Sequence, residues 1–255
     1  MRYCKIVAWL FVSTFSFPGL AAEYAGRVEW TQKVALTTLA SGQVIQIDVD
    51  VGQQVKKGEL LLRLDPGPFD ARISKAQAQV SATRVANEEA KRESKRTQEM
   101  FDRTLISVHQ LEVVKIEATK TGARYQAALA ELKLAQIDKT NSEIRAPFAG
   151  VILERKVSPG AIIVSRTEAV PVLVLAAIDW MSVRSAVPSA VARRLALGQE
   201  AAVRVGTQEY KGKVRRLGFE PLSKTANPEY LLEVDFQPSQ PLNLRVGDTA
   251  TISLP

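Results

Sequence analysis

Side chains that commonly carry protein chemistry are scarce in this sequence. The single cysteine, Cys4, precedes Lys5 and does not end an apolar run, where a lipid-modified cysteine would lie. Beyond Cys4 there is no thiol for a disulfide, a thiolate zinc site or a nucleophile. One histidine, His109, permits a Ser-His-Asp triad by count but excludes a histidine-rich metal site. Met100 and Met181 are too few for a methionine copper site. We therefore expect a non-enzymatic protein with no metal and no cofactor.

The first 22 residues carry the pattern of a secretory signal peptide. Arg2 and Lys5 form a charged start, residues 6–17 are apolar, and small residues at 19–22 suit cleavage. Removing this segment removes two positive charges, so the formal charge of +7 becomes +5. That mild excess gives little support to a nucleic-acid partner. The longest remaining apolar stretch, 169–178, is too short to span a bilayer. The sequence predicts an exported protein, with an uncleaved N-terminal anchor as the alternative.

Two stretches repeat one pattern of glycine and apolar residues. Residues 42–52 and 150–160 each hold glycines ten positions apart, with apolar residues at the second, third and seventh positions after the first glycine. An apolar strand follows each copy, at 60–64 and at 170–175. We interpret the copies as halves of one small β-sandwich, with two unrelated hairpins as the alternative. The glycines expected in its turns are Gly42, Gly52, Gly58, Gly150 and Gly160.

Most of the residues between the two halves follow a helical pattern. Pro66-Gly67-Pro68 suits a turn and a helix start. Core positions then recur at alternating spacings of three and four in two runs, which predict a coiled coil. A short link at 102–106 makes this an antiparallel hairpin with arms of about 33 residues, or about 50 Å. The first run is Ile73, Ala76, Val80, Thr83, Asn87, Ala90, Ser94, Thr97 and Phe101, and the second is Leu111, Val114, Ala118, Thr121, Tyr125, Ala128, Leu132 and Ala135.

The rest of the chain is typical of a small β-barrel. Strand-like runs occur at 201–205, 210–217, 230–236 and 248–254, with a short helix at 188–195 and an N-terminal strand within 26–39. We therefore predict an elongated, multidomain α+β fold with a β-barrel, a split sandwich and a helical hairpin nested in sequence. The predicted bounds are signal peptide 1–22, barrel 23–39 and 176–255, sandwich 40–65 and 143–175, and hairpin 66–142.

This nested order resembles the periplasmic adaptor proteins, or HlyD-like membrane fusion proteins, of tripartite efflux and secretion systems. The resemblance is carried by residues 41–44, 55–61 and 64–66, and by 144–151, which contain Ala-Pro-Phe-Ala-Gly like the family's Ala-Pro-Phe-x-Gly signature. It implies a self-associating, hexameric periplasmic protein, associated with the inner membrane, that bridges an inner-membrane transporter to an outer-membrane exit duct. The nearest type is the adaptor of resistance-nodulation-division (RND) pumps.

Three other functions stay open at this point. One is an adaptor of an ABC-type exporter or secretion system, and another is a structural coiled-coil envelope protein without a transporter. The third is a carrier component, because the split sandwich resembles a lipoyl domain. In lipoyl carriers a lysine at a tight hairpin between the halves receives the cofactor. Here the helical insertion, starting at Asp65-Pro66, occupies that place, and no Met-Lys-Met or Asp-Lys-Ala tripeptide occurs.

The resemblance also implies a docking site at the hairpin tip. Adaptors of RND pumps carry an Arg, Leu, Ser motif that engages the exit duct, and the matching positions are Arg96, Met100 and Ser107. Met100 replaces the motif's leucine with similar volume, and Arg96 can donate several hydrogen bonds to carbonyls or carboxylates. Ser107 is also predicted to cap the second helix, with Gln110 completing a capping box. A cap and a direct contact are both open for Ser107.

Many family members have a further membrane-proximal β-domain built from both termini. Few residues precede Gly42 and the sequence stops at Pro255, so we expect that domain to be absent. Contact with the transporter is then expected to rely on the barrel and the sandwich.

Overall fold

The computed structural model describes residues 22–164, 171–223, 226–239 and 243–255, and these form two compact units. One unit holds the described residues up to Thr31 and from Trp180 onward, and the other holds those from Gln32 to Asp179. The predicted signal peptide lies outside the described residues except for Ala22. The elements are β1 (Ala22–Trp30), β2 (Lys33–Leu36), β3 (Gly42–Ile47), β4 (Gln54–Val55), β5 (Leu60–Leu64), α1 (Gly67–Asp102), α2 (Val108–Asn141), β6 (Glu143–Arg145), β7 (Gly150–Arg155), β8 (Ile162–Ile163), β9 (Leu173–Ala177), β10 (Met181–Pro188), α3 (Ser189–Ala192), β11 (Glu200–Val205), β12 (Gln208–Pro221), β13 (Glu229–Phe236) and β14 (Thr249–Leu254).

The first unit is a closed, antiparallel six-stranded barrel in the order β1-β10-β13-β12-β11-β14, so the α+β class with a barrel is confirmed. Closure leaves no strand edge unpaired. The barrel is filled by buried apolar side chains that include Val183, Leu232 and Phe236. Strand β10 was not predicted, because Ser182 and Ser185 occupy buried positions in it and obscure the apolar alternation. The Ser185 hydroxyl is satisfied by donating to the Ala25 carbonyl at 2.7 Å.

A charged cluster fixes three neighbouring strands on the barrel exterior. Glu233 on β13 is nearly buried, and its carboxylate accepts from Arg184 of β10 at 2.9 Å and pairs with Arg216 of β12 at 3.2 Å. The hydrogen bond to Glu233 raises the pKa of Arg184; partial burial opposes the shift, and the charges of Glu29 and Glu233 favour it. The cluster ties β10, β13 and β12 together in one register.

The second unit contains two four-stranded sheets, in the orders β2-β9-β7-β4 and β6-β5-β3-β8. Each sheet combines strands from before and after the long helices. The two sheets share one apolar core, in which Val44, Leu62, Ile152 and Leu175 are fully buried. The base of the helices is therefore built on a core that neither half of the sequence completes alone.

The predicted barrel segment 23–39 is corrected by the strand pairing. Strand β1 ends at Trp30, and β2 pairs with β9 of the sandwich, with Val34 opposite Leu175. The chain passes from the barrel unit to the sandwich unit after Thr31. The Thr31 hydroxyl donates to the Trp180 carbonyl at 2.7 Å. Strand β9 reaches Ala177, so the sandwich also extends beyond the predicted limit at 175.

Two of the five predicted turn glycines lie in strands instead of turns. Gly52, Gly58 and Gly160 have φ values of +86°, +82° and +90°, which favour glycine. Gly42 begins β3 and Gly150 begins β7, and neither has a positive φ. A Cβ on Gly150 would lie 2.2 Å from the Ala176 carbonyl oxygen of β9, so this glycine permits close strand contact.

The long helices run antiparallel. Ion pairs join the start of α1 to the end of α2, between Asp70 and Lys139 at 2.5 Å and between Arg72 and Asp138 at 3.9 Å. Every residue of the two predicted seams is buried or half-buried. Helix α1 has 36 residues and α2 has 34, close to the predicted arm length. Among the residues that the structure describes, no helix combines the length and apolar character that a membrane crossing requires.

Candidate docking sites at the helix tip and the barrel end

The base of the helical pair is fixed to the sandwich by one aromatic side chain and two hydrogen bonds. Phe69 of α1 is buried in the sandwich core. The Asp65 carboxylate accepts the Gly67 N–H at 3.0 Å, and the Thr38 hydroxyl donates to the Asn141 carbonyl at 2.9 Å. At 1.5 Å per residue, the tip then lies about 50 Å from this base.

The link at residues 103–107 is a compact turn that begins with two backbone hydrogen bonds. The Thr104 N–H donates to the Phe101 carbonyl at 2.8 Å, and the Leu105 N–H donates to the Met100 carbonyl at 3.0 Å. Thr104 has φ of +61°, the sole non-glycine residue with positive φ in the described chain. This conformation costs about 1–2 kcal/mol for a residue with a Cβ. The two backbone hydrogen bonds offset part of this cost and define the turn between the helices.

Ser107 begins α2 through a complete capping box, as predicted. Its hydroxyl oxygen accepts the Gln110 N–H at 3.3 Å, and the Gln110 carboxamide oxygen accepts the Ser107 N–H at 3.0 Å. A cap of this kind stabilises a helix by about 1 kcal/mol. The cap leaves the Ser107 residue exposed, so capping and an outside contact are compatible.

Arg96 and Met100 lie on the last turns of α1. The Arg96 guanidinium is 70% exposed and pairs with Glu93 of the same helix. It lies six residues before the helix end, or about 9 Å along the axis. Met100 is half-buried beside the link. All three predicted residues lie at one end of the helical pair. There, Arg96 forms an ion pair with Glu93, and Ser107 exchanges hydrogen bonds with Gln110. An exposed ion pair contributes less than about 1 kcal/mol, so Arg96 can exchange Glu93 for another acceptor.

Two apolar side chains at the tip were missed in the sequence. Leu105 is 67% exposed, and its N–H donates to the Met100 carbonyl. Val108 is 57% exposed and follows Ser107 in the chain. We call Met100, Leu105 and Val108 the tip patch. The available signal was an apolar pair, Leu105-Ile106, inside a link that is otherwise polar. An apolar patch bordered by an arginine is a composition typical of protein interfaces.

A second exposed apolar surface lies at one end of the barrel. Phe219 is 98% exposed, and Leu197 and Leu222 are also exposed. We call Phe219 and Leu197 the barrel-end patch. Beside them is a hollow of about 380 Å³ whose lining includes Leu217 and Tyr230. Strand pattern alone did not reveal this surface, because β12 continues past a register shift after Leu217 and carries Phe219 outward.

Neither surface has the groups of a metal centre. Across residues 22–164, 171–223, 226–239 and 243–255, no three His, Cys, Asp or Glu side chains cluster closely enough to hold a metal ion. What the two surfaces offer is apolar contact area with charged borders, which suits protein recognition.

Comparison with known proteins finds relatives over the sandwich and the helices. Residues 32–175 match the family model described as RND MFP, barrel-sandwich hybrid domain. The efflux pump periplasmic linker BepD of Brucella suis is 27% identical over 141 residues, which are 55% of this chain and 36% of that protein. The multidrug resistance protein MdtA of Yersinia pestis is 29% identical over 150 residues, which are 59% of this chain and 34% of that protein. The matches thus cover about a third of the length of these relatives.

Solved structures share the fold. The membrane fusion protein Spr0693 of Streptococcus pneumoniae gives a TM-score of 0.71 at 15% identity, over 91% of this chain and 97% of that chain. A MacA–MexA chimera containing the α-hairpin domain of Pseudomonas aeruginosa MexA gives 0.67 at 21% identity, over 91% and 80%. The resemblance to membrane fusion proteins predicted from residues 41–66 and 144–151 is confirmed. Because the family model spans more than half of the sequence, the chain belongs to the RND membrane fusion protein (MFP) family.

Proposed function

We propose that this protein is the periplasmic adaptor of a tripartite efflux pump, linking an inner-membrane transporter to an outer-membrane exit duct. The observation that carries the proposal is the family match across residues 32–175, which contain the sandwich and both long helices. The names of the relatives, an efflux pump periplasmic linker and a multidrug resistance protein, support the same role. The adaptor carries out no covalent chemistry; its partner supplies the energy for transport.

The tip of the helical pair is the proposed contact with the exit duct. The tip patch supplies apolar area, and Arg96 supplies donors for carbonyl or carboxylate groups. Met100 adapts its shape to an apolar partner because its side chain is unbranched and flexible. Ser107 fixes the start of α2 through its cap and presents its exposed side to the duct. The link conformation at Thr104 keeps these groups in one arrangement before docking, which lowers the entropy lost on binding.

The barrel-end patch is the proposed contact with the inner-membrane transporter. Phe219 stands almost fully in solvent beside an apolar hollow, so a partner side chain can enter the hollow while Phe219 enters the partner. Buried aromatic anchors of this kind supply much of the binding free energy at interfaces. The family description supports an RND transporter as the partner. An ABC-type transporter is the alternative, and identification of the co-purifying transporter by mass spectrometry distinguishes them.

The proposed protein acts in the periplasm, at the inner membrane, as a hexamer. The predicted signal at residues 1–22 supports export. The seam between α1 and α2 is rich in small and polar residues and buries little apolar area, so the helical pair gains stability from packing against neighbouring copies. The sandwich is proposed to be lipoyl-like in fold without a carrier role, because the helical insertion occupies the place of the lysine hairpin. An added lipoyl or biotinyl mass on the mature protein would contradict that part of the proposal.

Site-specific cross-linking in cells of the native host tests the tip contact. Because Cys4 is the sole cysteine of the sequence, a Cys4→Ser chain with Leu105→Cys carries one thiol, at the tip. We expect an adduct with an outer-membrane duct protein. The matched control is Gln79→Cys, an exposed position near the base of α1, for which we expect no duct adduct. A duct adduct from position 79 together with none from position 105 would overturn the tip assignment.

A further inference from the structure

Three features that weaken helices meet at one level, midway along the helical pair. They are a buried polar side chain, a glycine inside a helix, and threonine hydroxyls bonded to their own helices. The level is fixed by Asn87 of α1 and Gly122 of α2, because a Cβ on Gly122 would lie 3.5 Å from Asn87 Oδ1. Asn87 lies about 26 Å above the ion pair of Asp70 at the base, at 1.5 Å per residue.

The first feature is the side chain of Asn87, which is buried in the seam between the helices. The residue is 5% exposed, and its Oδ1 atom has no hydrogen-bond partner among the described residues. A buried acceptor that gives up water without gaining a partner opposes packing of the helices at that level. Thr121 of α2 is also buried at nearly the same height. The seam therefore buries little apolar area here.

The second feature is Gly122, which is the sole glycine of α2. In a helix interior glycine is less favourable than every other residue except proline, because its backbone has the most freedom to lose. Its φ is not positive, so backbone conformation does not require it. Packing does not require it either, since 3.5 Å to Asn87 Oδ1 is an ordinary contact for an added Cβ. An alanine would fit, and the glycine leaves α2 more flexible at this point.

The third feature is a threonine hydroxyl in each helix that bonds back to the preceding turn. The Thr121 hydroxyl donates to the Glu117 carbonyl at 3.0 Å. On α1, one turn below Asn87, the Thr83 hydroxyl donates to the Gln79 carbonyl at 2.8 Å. Bonds of this type compete with the regular backbone ladder and often bend helices. Both helices therefore carry a local cause of bending at this level.

The two ends of the helical pair are held more firmly than its middle. At the base, Phe69 lies in the sandwich core and Asp70 pairs with Lys139. Toward the tip, Leu111 is buried between the helices and the Ser107 capping box fixes the start of α2. A segment with few buried apolar contacts between two better-packed segments is where a structure yields first.

We propose that the helical pair bends at the level of Asn87, Thr121 and Gly122, which we call the mid-pair hinge. The half of the pair between this hinge and the link is about 26 Å long. A bend of about 20°, the size of an ordinary helix kink, moves the tip sideways by about 9 Å. The base stays in place, because Phe69 remains in the sandwich core.

The mid-pair hinge goes beyond the proposed function, but its use in a pump rests on that function. An adaptor held at its base by one partner must bring its tip onto another. Bending midway corrects a sideways misalignment of the tip without breaking the contacts of the sandwich or the turn at the link. The tip patch and Arg96 move together, since all of them lie beyond the hinge.

Double electron–electron resonance between two spin labels on α2 tests the hinge. A Cys4→Ser chain carries Glu112→Cys and Gln126→Cys, which bracket Gly122. The matched control chain carries Gln126→Cys and Thr140→Cys, which both lie below it. All three positions are exposed, and the labels of each pair are separated by about 21 Å along the helix. They lie to one side of the back of α2, so their separation changes whether the pair bends within its plane or out of it.

We expect a wider distance distribution for the bracketing labels than for the control labels, measured after dilution with unlabelled chain. The excess is at least about 2 Å, because a label stands about 10 Å from the axis of bending. Gly122→Ala and Asn87→Leu should each remove at least half of the excess. The matched control is Ser81→Ala, at an exposed position of α1 below the hinge, which should leave the excess unchanged.

Equal widths for the two label pairs would overturn the proposal. So would an excess that neither Gly122→Ala nor Asn87→Leu reduces, or one that Ser81→Ala reduces equally. The first two variants change different helices, and circular dichroism checks that each keeps its helical content, so that either one alone completes the test. The measurement needs neither duct nor transporter, so its failure leaves the adaptor role to the separate tip cross-linking experiment.

Discussion

Replacing Gly150 by alanine tests whether close strand contact, more than backbone conformation, requires this glycine. The added Cβ would lie 2.2 Å from the Ala176 carbonyl oxygen. An ordinary contact is about 3.4 Å, so β7 and β9 must separate by about 1 Å. Overpacking costs about 1–3 kcal/mol, and each weakened ladder hydrogen bond adds about 1 kcal/mol. We expect the Gly150→Ala substitution to lower the free energy of unfolding of the sandwich by about 3 kcal/mol.

Two other glycines provide matched controls for this substitution. Gly160→Ala meets no atom within 4 Å, but its φ of +90° is unfavourable for alanine, so we expect a loss of about 1 kcal/mol. Gly42→Ala has a normal φ and a nearest contact of 3.4 Å, so we expect a change within about 0.5 kcal/mol. The expected order of destabilisation is therefore Gly150, then Gly160, then Gly42.

Native-state amide hydrogen exchange measures these differences in stability within the sandwich itself. Tryptophan fluorescence is less suitable, because Trp30 and Trp180 lie in the barrel unit. Peptides that cover β7 and β9 report the free energy of opening of the affected sheet directly. If Gly150→Ala opened as rarely as Gly42→Ala, the close contact between β7 and β9 would be refuted.

Four further predictions concern the helices and the two patches. Asn87→Leu should raise the unfolding free energy by about 1 kcal/mol in urea denaturation, because Asn87 Oδ1 is buried with no hydrogen-bond partner among the described residues; a loss of stability would contradict this. Ser107→Ala should lower helix stability by about 1 kcal/mol by circular dichroism, whereas Thr119→Ala, at an exposed position inside α2, should not lower it. Arg96→Glu should abolish export and leave the melting temperature within about 2 °C, since the side chain is exposed; unchanged export would count against its role. Phe219→Ser should leave stability unchanged within about 0.5 kcal/mol and reduce co-purification of the transporter at least tenfold, whereas Phe236→Ser should unfold the barrel.

The helical pair was predictable from sequence because its periodicity is local and uninterrupted. Each seam follows from spacing along one segment, and even its polar member Asn87 sits in the expected buried position. The capping box at Ser107 was predictable for the same reason, since both of its partners lie within three residues. The exposed residues Leu105 and Val108 were missed because link composition alone does not determine which side chains face solvent.

Features that depend on distant contacts were not predictable in the same way. Gly150 is required by Ala176, which is far along the chain and reached only through sheet pairing. A register shift between Val44 and Gln46 interrupts the alternation of β3, so Val44 and Ile47 contact the core while Ile45 between them is exposed. The boundary at residue 31 likewise follows from which sheet β2 joins.

The most direct test of the adaptor role asks whether one chain contacts an inner-membrane protein and an outer-membrane protein through two different sites. A Cys4→Ser chain carrying both Leu105→Cys and Phe219→Cys is cross-linked in cells of the native host and purified, and its adducts are identified by mass spectrometry. We predict an outer-membrane duct protein linked to position 105 and an inner-membrane transporter linked to position 219 in the same assembly. Adducts at both positions with proteins of one membrane only, or with no transport protein at all, would contradict the account.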